Sequence, residues 1–117
     1  MISKVLTLLG FASKAGKLSC GMDASVEAVR KGKSKLCVIA NDVSPKSSKE
    51  INFFAMKNNV RVIILDDCNI DTLSAAIGRK CGILSVNDGS FADGIVGAVN
   101  KINDHTETSI QGGNANE

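Results

Sequence analysis

The sequence contains no tryptophan and no tyrosine, four phenylalanines, one proline and a single histidine in 117 residues. So few aromatic rings exclude a base-stacking platform of the kind that single-strand binders use. The histidine, His105, falls in a polar C-terminal stretch where nothing holds it near a nucleophile. Neither a Ser-His-Asp nor a Cys-His set can be assembled around it, so no catalytic residue and no enzyme activity are expected. The four cysteines (Cys20, Cys37, Cys68, Cys81) include no Cys-x-x-Cys pair and have no histidine nearby. They are read as buried thiols in a reducing compartment, with no metal and no cofactor. No apolar run approaches the ~20 residues that cross a bilayer, so no membrane partner is expected. Lys14 and Lys17 follow the short N-terminal apolar stretch without a small-residue cleavage site, which points to the cytoplasm.

What is present is the material of one ordinary domain. Hydrophobic residues make up 44% and charged residues 22%, enough for a core in a chain of this length. The net charge is only +2, but it is unevenly spread. Residues 1–40 carry Lys4, Lys14, Lys17, Arg30, Lys31, Lys33 and Lys35 against Asp23 and Glu27, while the rest of the chain is slightly acidic. Positive charge gathered in one segment is the usual footprint of a surface that faces phosphate.

Periodicity supplies the fold. Ile2, Val5, Leu6, Leu9 and Ala12 recur at steps of three and four, predicting an amphipathic helix that ends before Gly16. A short strand at Lys17–Cys20 leads to a second helix, opened near Gly21 and stopped by Gly32. Leu36–Ala40 reads as a strand covered on both faces. Ser44 before Pro45 is a helix start that should end near Asn58-Asn59. A strand at Val60–Leu65, a short helix over Leu73–Ile77 after Asp67 or Asn69, a strand at Ile83–Val86 and a last helix capped by Asp88 complete the series. The expectation is a three-layer α-β-α sandwich, helix first, with a small mixed sheet of about four strands. The domain should span residues 1–102, and residues 103–117, with only Ile110 to bury, should form a mobile polar tail.

Gly10 to Lys17 has the glycines and lysine of a phosphate-binding loop, but five residues separate the glycines where four are needed, and Leu18 stands where a hydroxyl should bind Mg²⁺. The segment also follows a helix rather than a strand, so nucleotide hydrolysis is not expected. Asp66, Asp67 and Asp71 follow a strand as metal-binding carboxylates sometimes do, but capping by Asp67 is the simpler role. The stretch from Lys14 to Lys35 remains. It sets Gly21 at a helix entrance between flanking lysines, and unpaired amides at such an entrance attract phosphate. A basic, glycine-opened segment of this kind suits structured RNA.

Ala15-Gly16-Lys17-Leu18, Gly21 opening a helix, the run Ala28–Pro45 and Ala75-Ala76-Ile77-Gly78-Arg79-Lys80 together resemble the ribosomal protein L-seven-Ae / L-thirty-e family, most of all its short bacterial YlxQ-like members. The likeness extends to about Ile102. It implies a non-catalytic α-β-α sandwich that binds structured RNA, typically a kink-turn in ribosomal or other non-coding RNA, with the ribosome or other ribonucleoprotein components as partners. It also places Lys17, Gly21 and Met22 in the patch that grips the kinked backbone, and Arg79, Lys80, Cys81 and Gly82 in a loop that covers a flipped-out nucleotide. With Lys14, Asp23, Lys31 and Lys33 these form the expected RNA-binding set. Where archaeal kink-turn binders carry Asn-Glu and, three residues on, Lys, this chain has Asp23, Ala24 and Glu27. Aspartate only accepts hydrogen bonds, and Glu27 would repel a phosphate. A protein-interaction module in translation or ribosome assembly is therefore the alternative expectation.

Overall fold

Every residue of the run Leu36–Ala40 is buried, as a strand covered on both faces requires. The computed structural model describes residues 2–108, with side chains through Asn100. In chain order the elements are α1 (Ile2–Lys14), β1 (Leu18–Cys20), α2 (Met22–Arg30), β2 (Leu36–Ala40), α3 (Pro45–Lys57), β3 (Val62–Leu65), α4 (Ile70–Ile77), β4 (Ile83–Val86) and α5 (Gly89–Thr108).

The period of two in β2 sorts the helices into layers. Leu36, Val38 and Ala40 join the cluster built by Val5, Leu9 and Ala12 of α1, Leu73 and Ile77 of α4, and Ala92 and Ile95 of α5. Cys37 and Ile39 face the other way, onto Val29 of α2 and Ile51 of α3. Burying each of these leucines and isoleucines contributes about 1.5–3 kcal/mol, which fixes the register, because a one-residue slip would turn both clusters outward. The strand order is β1-β4-β2-β3. β4 pairs antiparallel with both β1 and β2, and β3 lies parallel to β2 across the α3 connection. The helix-first, three-layer arrangement with a four-stranded mixed sheet is the one expected.

Local chemistry sets most boundaries. Ser44 accepts from the Ser47 amide at 3.2 Å with Pro45 at the first helical position, and Asp88 accepts from the Phe91 amide at 3.0 Å. Two expectations need correction. The cap of α4 is Asn69, which accepts from Thr72 at 2.8 Å, and not Asp67, which lies exposed in the preceding turn. β3 begins at Val62, because the Val60 amide is used to close α3 on Ala55 at 2.8 Å. The α5 backbone runs to Thr108. The remainder of the expected tail, 109–117, lies outside the described residues. Of the thiols, Cys37, Cys68 and Cys81 are buried and Cys20 is half-buried.

Candidate nucleic-acid interface

The sheet has two ends with different chemistry. At the carboxyl end of β2, Ile39 pairs with Ile83, and Cys20 of β1 lies opposite Leu84, so the start of α2 and the loop before β4 sit side by side. Gly21 joins them. Its amide donates to the Ile83 carbonyl at 2.7 Å, while its own carbonyl accepts from Ser25 at 3.0 Å to begin α2. The torsions that permit this, φ 94 and ψ 164, belong to a region open almost only to glycine. No side chain caps α2, so its first-turn amides are left for solvent or for an anion.

The loop Arg79–Gly82 is held firmly from behind. The Cys81 amide donates to Ser74 Oγ at 2.8 Å, Ser74 Oγ donates to the Cys81 carbonyl at 3.3 Å, and the Ala40 amide donates to the Gly82 carbonyl at 2.9 Å. A Cβ on Gly82 would lie 3.0 Å from Ile70 Cγ1 and 3.2 Å from Val43 Cγ2, so a side chain there would have to push these neighbours back by a few tenths of an ångström. The Cys81 thiol donates to the Ile83 carbonyl at 3.4 Å. Burial, reinforced by the neighbouring Cys20 thiol, pushes its pKa up to about 12, against weaker downward pulls from the Gly21 amide and Arg79. It is a structural thiol, and the side chains the loop offers to solvent are Arg79 and Lys80.

On α2, Met22 is half-buried and Asp23, Ala24 and Glu27 are exposed. Glu27 Oε2 meets Lys31 Nζ at 2.7 Å. The hydrogen bond and charge of Lys31, with a smaller contribution from Lys33, hold the Glu27 carboxyl below the usual range. A groove of about 600 Å³ runs between α2 and α3, lined by Asp23, Val26, Glu27, Arg30, Glu50 and Phe54 among others.

The expected set of site residues is thus divided. Gly21, Met22, Asp23, Arg79 and Lys80 are brought together at the carboxyl end of β2. Lys14, Lys17, Lys31 and Lys33 are not. Lys17 precedes Leu18, which pairs with Val86, and Val86 also pairs with Leu36. Lys14 ends α1, and Lys31 and Lys33 follow α2. These four therefore gather at the amino end of β2, separated from Gly21 by the length of β2, about 13 Å at ~3.3 Å per residue. Asn41 and Ile70, which the sequence did not single out, help build the carboxyl end. The Asn41 amide donates to the Cys68 carbonyl and the Ile70 amide to Asp42 Oδ1, both at 2.8 Å. Their role depends on pairing between distant segments, which leaves no local signal. His105 lies on the α5 backbone, beyond the described side chains.

The sequence profile of the Ribosomal protein L7Ae/L30e/S12e/Gadd45 family matches residues 3–94. The chain belongs to this family. Among its relatives is the large ribosomal subunit protein eL30 of Candida glabrata, 30% identical over 87 residues that cover 73% of this chain and 82% of that protein. A protein of unknown function from Bacillus halodurans has the same fold, with a TM-score of 0.78 and 26% identity over 83% of this chain and 97% of that one. The 15.5kD RNA binding protein of Giardia lamblia superposes with a TM-score of 0.72 at 16% identity, covering 86% of each chain, which shows a shared fold. Family membership accounts for the layer order and the helix-first topology. Among the described residues, no helix is long and apolar enough to cross a membrane.

Proposed function

We propose that this chain is a non-catalytic, ribosomal-type RNA-binding protein of the cytoplasm, acting in translation or in a ribonucleoprotein. Its ligand is structured RNA of kink-turn type, held at the carboxyl end of β2. The observation that carries this reading is the 2.7 Å bond from Gly21 to Ile83, which makes the uncapped start of α2 and the Arg79–Gly82 loop one continuous surface. Backbone amides of α2 would take a phosphate, Arg79 and Lys80 would neutralise the strand passing over the loop, and the apolar floor beneath Gly82 would shelter an unstacked base. Membership of a ribosomal protein family, and a fold shared with the RNA binding protein of Giardia lamblia, support RNA as the ligand class.

Affinity for a kink-turn should be modest, because this end is not basic. Lys46, Arg79 and Lys80 stand against Asp23, Asp42, Asp66, Asp67 and Asp71, a balance of −2. The test is a gel shift with a kink-turn RNA and a fully paired duplex of equal length. The parent should prefer the kinked RNA, and the triple change Asp23→Asn, Ala24→Glu and Glu27→Lys should strengthen that preference by about tenfold or more. No preference in the parent and no gain in the triple variant would defeat the reading. One observation favours a protein partner in ribosome assembly instead. Phe53, Met56 and Ile64 are exposed on α3 and on the edge strand β3. Failure of RNA binding altogether would leave that second reading in place.

A further inference from the structure

The charge missing from the carboxyl end of β2 is concentrated at the opposite one. Around the amino end of β2 stand Lys14 at the close of α1, Lys17 before β1, Arg30, Lys31, Lys33 and Lys35 between α2 and β2, Lys57 at the close of α3 and Arg61 before β3. The positions are joined by backbone bonds across the sheet: Lys35 to Val86 at 2.8 Å, Asn87 to Lys17 at 2.8 Å and Cys37 to Arg61 at 2.9 Å. Of the acids nearby, Glu27 is paired with Lys31 and Asp88 with the α5 amide of Phe91, which leaves Asp93 in the opening turns of α5 against the eight cations. Lys14, Lys17, Lys33 and Lys35 are exposed and form no ion pair with a described residue.

Helix dipoles explain part of this collection. Cations in a last turn complement the carbonyl end of a helix, and Lys14, Arg30, Lys31 and Lys57 are so placed. Lys17, Lys33, Lys35 and Arg61 lie beyond the helices and gain nothing from a dipole. They also come from three separate connections, so no local sequence preference groups them. Between two of those connections is a concavity of about 500 Å³, and among the described residues lining it every charged side chain is a cation: Arg30, Lys31 and Lys35. Gly16 and Gly32, each in a left-handed turn between lysines, have nothing within 4 Å of a would-be Cβ, so the main chain there is open to close approach.

We propose that the amino end of β2 is a second RNA-contacting surface, which grips the sugar-phosphate backbone of a duplex without reading its sequence. This rests on the reading that the chain binds structured RNA, but it uses different residues from the end that would recognise a kink. The surface offers ammonium and guanidinium donors with Asn58 and Asn59, and of the exposed rings beside it, Phe11 and Phe53, the second is already overlain by Lys57 Nζ at 5.4 Å from its centroid. Such a set neutralises phosphates and releases counterions, and it carries no base code. The protein would then hold RNA at both ends of its sheet, with most of its salt-dependent affinity coming from the end remote from the kink.

The experiment measures anisotropy with the same two RNAs, kink-turn and plain duplex, across about 50–300 mM KCl. Lys33→Glu with Lys35→Glu should weaken binding of both RNAs alike, by about tenfold or more near 100 mM salt, and reduce the slope of log K against log salt by about two. Lys33→Gln with Lys35→Gln should move both quantities in the same direction by less, which guards against misfolding of the reversed-charge variant. Arg79→Glu with Lys80→Glu should instead reduce the preference for the kinked RNA and leave plain-duplex binding nearly unchanged. A parent with no preference for kinked RNA, whose duplex binding is still lost on changing Lys33 and Lys35, would defeat the reading of the carboxyl end and uphold this one. An unchanged slope and affinity in the Lys33 and Lys35 variants would overturn this proposal. So would tighter binding of poly-glutamate than of duplex RNA, which would assign the surface to an acidic protein.

Discussion

Replacing Gly21 with alanine should destabilise the protein, whereas the same replacement at Gly97 should stabilise it. A Cβ at either position meets nothing within 4 Å, so crowding plays no part and backbone conformation alone decides the outcome. Gly21 holds φ at 94 and ψ at 164 because its amide must reach the Ile83 carbonyl while its own carbonyl starts α2. An alanine held there costs about 1–3 kcal/mol, or gives up the bond between α2 and β4 to escape the strain. Gly97 lies exposed inside α5, with no left-handed torsion, and alanine there restricts the unfolded chain for a gain of about 0.4–1 kcal/mol. Urea unfolding of the two variants beside the parent should therefore separate them by roughly 1.4–4 kcal/mol. In a thermal melt the Gly21 variant should fall by about 4 °C for each kcal/mol lost. A Gly21→Ala protein as stable as the parent would refute the claim that this torsion is required. Its loss of kink-turn preference should also exceed that of Gly97→Ala, whose binding should be unchanged.

Two further outcomes are expected. Ile39 and Ile64 are register partners on neighbouring strands, yet Ile39 is 1% exposed and Ile64 50%. Ile39→Ala should cost about 2–5 kcal/mol and Ile64→Ala under about 1 kcal/mol, and equal losses in urea midpoints would contradict the layer assignment. The pH dependence has a definite sign. Burial raises the Cys37, Cys68 and Cys81 thiols, so the folded chain keeps protons that the unfolded chain releases above about pH 8.5. Stability is then complete below that point and declines as pH rises through it, by up to ~1.4 kcal/mol per unit for Cys81, whose window extends to about 12, and in the same direction for Cys37 and Cys68. The chain has no tyrosine to titrate in the same window. Urea midpoints at about pH 7.5 and 9.5 should fall less in Cys81→Ala than in the parent, and equal falls would rule out this source.

The layers were legible because β2 is apolar on both sides and each helix carries one apolar stripe, so periodicity alone distributes the residues correctly. Caps were legible where one candidate stood alone, as at Ser44 and Asp88. Between Asp67 and Asn69 the sequence offers two capping side chains. The choice falls to Asn69 because Cys68 closes a turn on Leu65 at 3.3 Å and leaves Asp67 inside it. The candidate site was harder to read. Residues 14–35 look like one basic segment, but β1 carries the chain along the sheet and α2 returns it, so neighbours in sequence finish at opposite ends. Partners such as Arg61 or Ile70 are set by strand pairing across dozens of residues, which no local pattern records.

β1 is three residues long and lies at the rim of the sheet, too short to hold its own register by apolar contact alone. A chain of polar contacts does so instead: Ser85 Oγ donates to Asn87 Oδ1 at 2.6 Å, Asn87 Nδ2 donates to Ser19 Oγ at 2.9 Å, and Ser25 Oγ donates to the Ser19 carbonyl at 3.3 Å. Ser19 and Asn87 are 68 positions apart, so shutting this clasp costs the closure entropy of a loop that takes in most of the domain. The shortest strand is thereby fastened through the side chains of Asn87 and Ser25, and through Ser25 the first turn of α2 is tied to the same clasp.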